Sequence, residues 1–448
     1  MLLLKIALGL LGLGIVVFFH ELGHFLAARL VGIDVDAFSV GWGNPILKKK
    51  IGNCEYRLGM FPIGGYCKMK GDSDYNNEAY VNMEKGIKPE KGSYHAASPA
   101  ARILVSFGGP FFNLVFAILI LSVLWGFGFE INTLENRIIL ASEITGEIYP
   151  ADSAGLRTGD RIIEIAGKPV SYYHEVQENI ALNPDKELPV LVDRNGELVR
   201  LIVTPSMDRS SGAGRIGVYF WTDPVIDTIR EGSPAQTAGL HSGDVIISAN
   251  GMALRNTLDF HMAMEHDPAE VILEYSRNGI LSQAQFTNEE MQDPGFSWVT
   301  VSYRTPNLSF PGAIAKGVQE GWKTLAVSVR SLRLLFAGID LTQAVSGPVR
   351  ITYMMGDMAA QGFGQGLGTG LRSLMDFVAL ISIALCVMNL LPLPILDGGM
   401  IILFLVEWVR KKPAHPKAIA VFQACGMAII LCLMVFALFG DIMYFVRR

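Results

Sequence analysis

The chain has 448 residues, half of them hydrophobic and 18% charged, with a net charge of -5 at neutral pH. Soluble proteins usually carry nearer to about a quarter charged residues. The apolar excess falls in blocks, which predicts membrane-spanning helices beside a soluble part, and the acidic balance excludes a nucleic-acid binder.

The first block, residues 1–30, carries one charge, Lys5, before it runs into His20-Glu21-Leu22-Gly23-His24. It lacks a basic leader and a convincing small-residue cleavage site, so it reads as a retained span. On a helix, residues i and i+4 share a face, so His20 and His24 can direct two imidazoles at one metal ion. Glu21 then sits where it can take a proton from a metal-bound water. Polar groups at bilayer depth are costly and point to a functional site; a chance H-E-x-x-H is the competing reading.

Residues 31–102 form a loop bearing Lys48, Lys49, Lys50, Arg57, Lys68, Lys70, Lys85, Lys88 and Lys91, and a second span covers 103–128. Within the loop, Tyr56–Met69 reads as two short strands around a turn holding Pro62, Gly64 and Gly65. Either that hairpin packs on the membrane surface, or it dips in beside the site and offers a strand edge to an extended peptide.

Residues 130–210 and 211–306 hold two copies of one pattern. Pro150–Gly167 and Pro234–Gly251 coincide at ten of eighteen positions with a spacing of 84. Each copy reads as a short helix ending at Gly155 or Gly239, a Gly-Asp turn and a strand. The pattern resembles the bacterial PDZ domain, a module that binds extended peptides along a strand edge; a packed cap over the membrane part is the alternative use. The five cysteines all lie outside residues 130–310, so no disulfide is expected there.

Within residues 311–371, positions 311–345 alternate apolar and basic residues at helical spacing, and the Gly-rich piece Gly362–Gly368 follows. They read as amphipathic helices on the membrane surface or against the spans, with a flexible lead. A third span covers 372–407, broken by Pro392 and Pro394; a basic loop, 408–418, and a fourth span, 419–446, follow. A broken helix at membrane depth is tolerated where it is buried in protein or lines a cavity. By the positive-inside rule both basic loops face the cytoplasm, which places residues 130–370 and both termini, Arg447-Arg448 included, outside.

Two histidines leave a catalytic zinc one protein ligand short. Asp397, in Asn389-Leu390-Leu391-Pro392-Leu393-Pro394-Ile395-Leu396-Asp397-Gly398-Gly399, is the candidate; a helix cap is its other reading. Asn389 can donate to an oxyanion or to substrate backbone, or bridge helices.

The two motifs together resemble the site-2 protease family of intramembrane zinc metalloproteases, and the resemblance covers essentially the whole chain. It implies one catalytic zinc on His20, His24 and Asp397, Glu21 as general base, Asn389 in contact with substrate, and Gly64-Gly65 in a membrane-reentrant β element. It also implies a bacterial inner-membrane location with periplasmic PDZ domains and a site toward the cytoplasmic side. The implied substrates are single-span proteins, such as an anti-sigma factor already trimmed outside the membrane, and remnant signal peptides. The PDZ pair would then act as a size filter. The small-residue run before Asn113 matches the family too, with no chemical role assigned to Asn113. The expected architecture is a polytopic α-helical membrane protein with four spans, a membrane-associated hairpin, and two PDZ-like α+β domains between helices two and three. The alternatives are a zinc-binding PDZ scaffold without protease activity, against which an intact Glu21 speaks, and a metal transporter, for which the spans offer too few polar groups.

Overall fold

A computed structural model of the chain describes residues 2–71, 89–208, 212–264, 270–334 and 347–446. Lys85, Lys88, positions 335–345 of the amphipathic stretch and Arg447-Arg448 lie outside the described residues. The chain divides into two units, Met1–Phe129 with Pro306–Arg448, and Glu130–Thr305.

The first unit is mainly helical. Its helices are α1 (Leu2–Leu30), α2 (Pro99–Phe127), α3 (Phe310–Leu334), α4 (Pro348–Gln365), α5 (Leu367–Asn389), α6 (Asp397–Arg410) and α7 (Pro416–Val446). Among the described residues, α1, α2, α5 and α7 are long and apolar enough to cross a membrane. Helix α2 opens before the expected residue 103, because a cap sets its start rather than apolarity. The Ser98 side chain accepts from the Ala101 N–H, and Pro99 fills the first turn, where its missing N–H costs nothing.

The segment expected as one interrupted span over 372–407 is two helices, α5 and α6, parted by a turn. At 14 residues, α6 is too short to cross alone, since a helix rises about 1.5 Å per residue against a core of about 30 Å. The Gly-rich lead is also different from expectation. It is helical on both sides of a single break at Gly366, and Gly362 packs against the next helix. A Cβ on Gly362 would meet Gly370 and Ser373 of α5, and one on Gly370 would meet the Phe363 ring of α4. Helix α3 lies against α2, with Gly317 and Gly321 facing Ser122 and Ile118. Asp441 of α7 accepts from the backbone N–H groups of Gly347, Val349 and Arg350, which caps the start of α4.

The sheet of this unit pairs β1 (Val35–Ile51) with β2 (Cys54–Met69). The hairpin therefore does not close within Tyr56–Met69; its partner strand is β1, which includes Lys48–Lys50. Pairing runs from Ile51 opposite Cys54 to Leu47 opposite Leu58, shifts register, and continues from Val40 opposite Gly65 to Val35 opposite Met69. A Cβ on Gly59 would collide with the Gly41 backbone, so the irregular stretch needs glycine at this crossing.

The second unit contains one topology twice. One four-stranded sheet has the order Lys168–Pro169, Arg161–Ile165, Leu188–Arg194, Glu197–Val203. The other has Met252–Ala253, Val245–Ala249, Glu270–Arg277, Ile280–Thr287. Each has its own apolar core, around Ile162, Val176 and Val192 in the first and Ile246, Phe260 and Leu273 in the second. A duplicated ion pair locks each. Arg194 grips Asp160 through Nε and Nη2 at 2.8 and 2.7 Å and reaches the Gly155 carbonyl, as Arg277 grips Asp244 at 2.7 Å through both nitrogens and reaches Gly239. The boundary expected at 211 falls inside the first copy. Ile216 belongs to that copy's core and Val218 packs against it, while Val218–Phe220 pairs with Ile138–Leu140.

Candidate metal centre

An uninterrupted helix through His20 and His24 puts their Nε2 atoms 3.2 Å apart. Asp397 comes to them from the first position of α6. Its Oδ2 lies 3.4 Å from His20 Nε2, and its Oδ1 lies 3.5 Å from His24 Nε2. Zinc bonds of about 2.0–2.1 Å in tetrahedral geometry require ligand atoms about 3.3 Å apart. The His20–His24 separation matches that edge, each Nε2 lies at a similar distance from one of the two Asp397 oxygens, and one ligand atom from each residue lies within 4.8 Å of the others, so the residues present fit a zinc ion.

The Pro-broken turn aims Asp397. Ile395 has a φ of 81°, a left-handed conformation that a β-branched residue adopts only when its surroundings hold it there. Those surroundings are tight. A Cβ on Gly398 would meet the carbonyls of Leu390 and Leu391, and one on Gly399 the Leu393 carbonyl. Gly426 of α7 packs directly against Pro394. Asn389, half-buried, ends α5 at the mouth of this turn.

Helix α2 supplies the support behind the histidines. It crosses α1 at Gly23 and Gly108, where a Cβ on either would strike the backbone of the other. Close approach brings one ridge of α2, positions 105, 109 and 113, onto the histidine face. His24 Nδ1 lies 2.8 Å from the Val105 carbonyl oxygen, and His20 Nδ1 lies 3.1 Å from Asn113 Nδ2. Gly109 leaves room between them, since a Cβ there would press on His24 Nε2 and His20 Cε1.

Glu21 faces the hairpin. The Cys67 backbone N–H hydrogen-bonds to its carboxylate, and a Cβ on Gly65 would lie 3.3 Å from its Cγ. The structure thus gathers His20, His24, Glu21, Asp397 and Gly65. Gly64 instead packs on Trp42, whose indole occupies the space a Cβ would need. Sequence reasoning missed the Val105 carbonyl and the Cys67 N–H, because backbone groups leave no residue-type signal. Asn113 did leave one, a buried amide four residues after Gly109 in an apolar helix.

Comparison with known proteins gives a family-level match. The model of peptidase family M50 matches residues 8–433. A Treponema pallidum protein named "Putative zinc metalloprotease" is 34% identical over 447 residues, covering 98% of this chain and 99% of the relative. A Neisseria meningitidis protein of similar name is 30% identical over 457 residues, covering 96% of each chain. The regulator of sigma E protease of Haemophilus influenzae is 28% identical over 454 residues, covering 96% of this chain and 97% of the relative.

Proposed function

The chain belongs to peptidase family M50, and from that premise we propose that this zinc metalloprotease cuts transmembrane segments of single-span proteins within the bilayer. The observation that carries the reading is the 3.2, 3.4 and 3.5 Å spacing of the His20, His24 and Asp397 ligand atoms beside Glu21.

His20, His24 and Asp397 would hold the zinc. Bound there, zinc supplies Lewis-acid polarisation of the scissile carbonyl and makes water a competent nucleophile near neutral pH. Glu21 accepts the proton of the attacking water and passes it to the leaving amine; the Cys67 N–H keeps its carboxylate oriented. A transmembrane helix has no free backbone groups to present, so it must be unwound before it can be cut. The Gly65–Met69 segment, paired with Val35–Val40, offers the unwound chain a strand edge. Asn389, at the mouth of the Pro-broken turn, donates to substrate backbone or to the developing oxyanion.

The duplicated modules of Glu130–Thr305 serve in this reading as PDZ domains on the outer face of the inner membrane. The first has a groove of about 610 Å³ lined by Tyr149, Tyr173, Val176, Ile180 and Phe220. The pair acts as a size filter that admits substrates already trimmed outside the membrane, an anti-sigma factor or a remnant signal peptide. The basic loops 31–102 and 408–418 keep the metal site toward the cytoplasmic side.

The test is cleavage of a short-domain, single-span reporter by purified wild type and Glu21→Gln side by side. Wild-type cleavage that a chelator abolishes and Glu21→Gln lacks supports the reading. Equal cleavage by both sinks it, and zinc binding without any cleavage moves the scaffold alternative ahead.

A further inference from the structure

His20 and His24 present the same ring atom, Nε2, to Asp397 and to each other. To bind a metal there, each ring must keep its Nε2 lone pair free and carry its proton on Nδ1. For His24 the protein enforces this. Its Nδ1 lies 2.8 Å from the Val105 carbonyl, which only accepts, so the nitrogen must be N–H.

For His20 the corresponding neighbour is Asn113, fully buried, with its carboxamide 3.1 Å from Nδ1. A carboxamide can turn either end to the ring, and its orientation is assigned from the surrounding network. With the nitrogen toward Nδ1, Asn113 would donate, and the His20 proton would move to Nε2 and point into the metal position. In that orientation Asn113 Oδ1 accepts no hydrogen bond from the described residues, so exchanging the two ends of the carboxamide breaks no hydrogen bond of the oxygen. With the oxygen toward the ring, Nδ1–H donates to it and Nε2 is left free.

We propose that Asn113 is a positioning residue whose carboxamide oxygen holds His20 in the Nδ1–H form, as the Val105 carbonyl holds His24. The proposal rests on the ligand assignment above. Both supports come from one ridge of α2, and the Gly23–Gly108 crossing brings that ridge to the metal side chains. The Gly109 backbone also reaches the His20 ring, so the separate share of Asn113 is what the experiment must isolate.

The experiment is zinc affinity of the full chain in detergent, measured by chelator competition, for wild type, Asn113→Leu, Asn113→Asp and Asp397→Ala. Asn113→Leu removes the acceptor and should weaken zinc by about 10–100-fold, the usual cost of losing a group that orients a metal ligand. Asn113→Asp keeps an acceptor oxygen behind the imidazole and should hold zinc at least as tightly as wild type. Melting of the zinc-free proteins separates loss of fold from loss of the tautomer. Wild-type affinity in a folded Asn113→Leu protein overturns the proposal and assigns the work to the Gly109 backbone. Should Asn113→Leu not fold, Asn113→Asp decides, and a tenfold or greater loss there overturns the proposal. Unchanged zinc binding by Asp397→Ala instead overturns the ligand assignment, a result that Asn113 variants cannot mimic.

Discussion

Arg102 Nη2 and Glu407 Oε2 meet at 2.7 Å in the interior, with only 4% and 2% of their side chains exposed. Arg102 also lies over the Phe404 ring, and Glu407 Oε1 accepts the Ala414 N–H at 2.9 Å. The pair joins α2, which backs the histidines, to α6, which begins at Asp397.

Breaking one side of this pair strands a buried charge. Glu407→Leu or Arg102→Leu should each cost about 3–5 kcal/mol, whereas the double apolar replacement should cost much less. Thermal unfolding of the four proteins in detergent checks this, and additive losses in the double variant would contradict it.

The strained turn at Ile395 holds Asp397 in place. Ile395→Gly removes strain of about 1–3 kcal/mol but adds freedom to the unfolded chain, so stability should change little. Zinc affinity should fall by about tenfold, because the turn no longer fixes the carboxylate. Chelator competition reads this; unchanged affinity would mean that packing against Gly398, Gly399 and Gly426 positions Asp397 by itself.

Gly109→Ala separates stability from metal binding. Alanine is the better helix former by about 1 kcal/mol, yet its Cβ would press into the His20–His24 space. The variant should melt at or above the wild-type temperature when zinc-free and hold zinc at least about tenfold more weakly. Zinc content after dialysis, compared with the melting curve, is the check.

Gly65→Ala should do the reverse. Its Cβ meets Ser39 O and Glu21 Cγ, away from the three ligand atoms. Zinc affinity should stay unchanged while kcat falls by about 100-fold, the cost of a catalytic group displaced by about 1 Å. A parallel loss of zinc would place Gly65 in the metal site instead of beside Glu21.

The Asp244–Arg277 lock predicts acid sensitivity of the second module. Burial acts to raise the Asp244 pKa, but the Arg277 guanidinium and the His241 backbone N–H overcome it and hold the carboxyl below its ordinary 3.8. Its contribution to stability is therefore complete above that ordinary value and is lost as pH falls through the lower folded one. Asp244→Asn should remove this part of the pH dependence. Tryptophan fluorescence melts across the acid range, wild type against variant, measure it.

The candidate metal ligands and the repeats were legible in the chain before any folding was considered. The i,i+4 histidines follow from helical period alone, the isolated carboxylate in an apolar, Pro-broken segment marked Asp397, and the 84-residue repeat announced two like modules. Local pattern carries those signals because each lies within one turn or one supersecondary unit. What tertiary structure decided was everything that depends on which elements touch. Lys48–Lys50 looked like a charge cluster and became part of a strand, because pairing of Val35–Ile51 with Cys54–Met69 is a long-range register that composition does not encode. Gly362–Gly368 looked flexible and became helix on either side of Gly366, with Gly362 at the α4–α5 contact. Asn113, the Val105 carbonyl and the Cys67 N–H became supports of the site when Gly23, Gly108 and Gly65 let three elements close to backbone distance. Such support depends on an approach of a few ångströms between elements far apart in the chain, and no residue type declares in advance which neighbour it will meet.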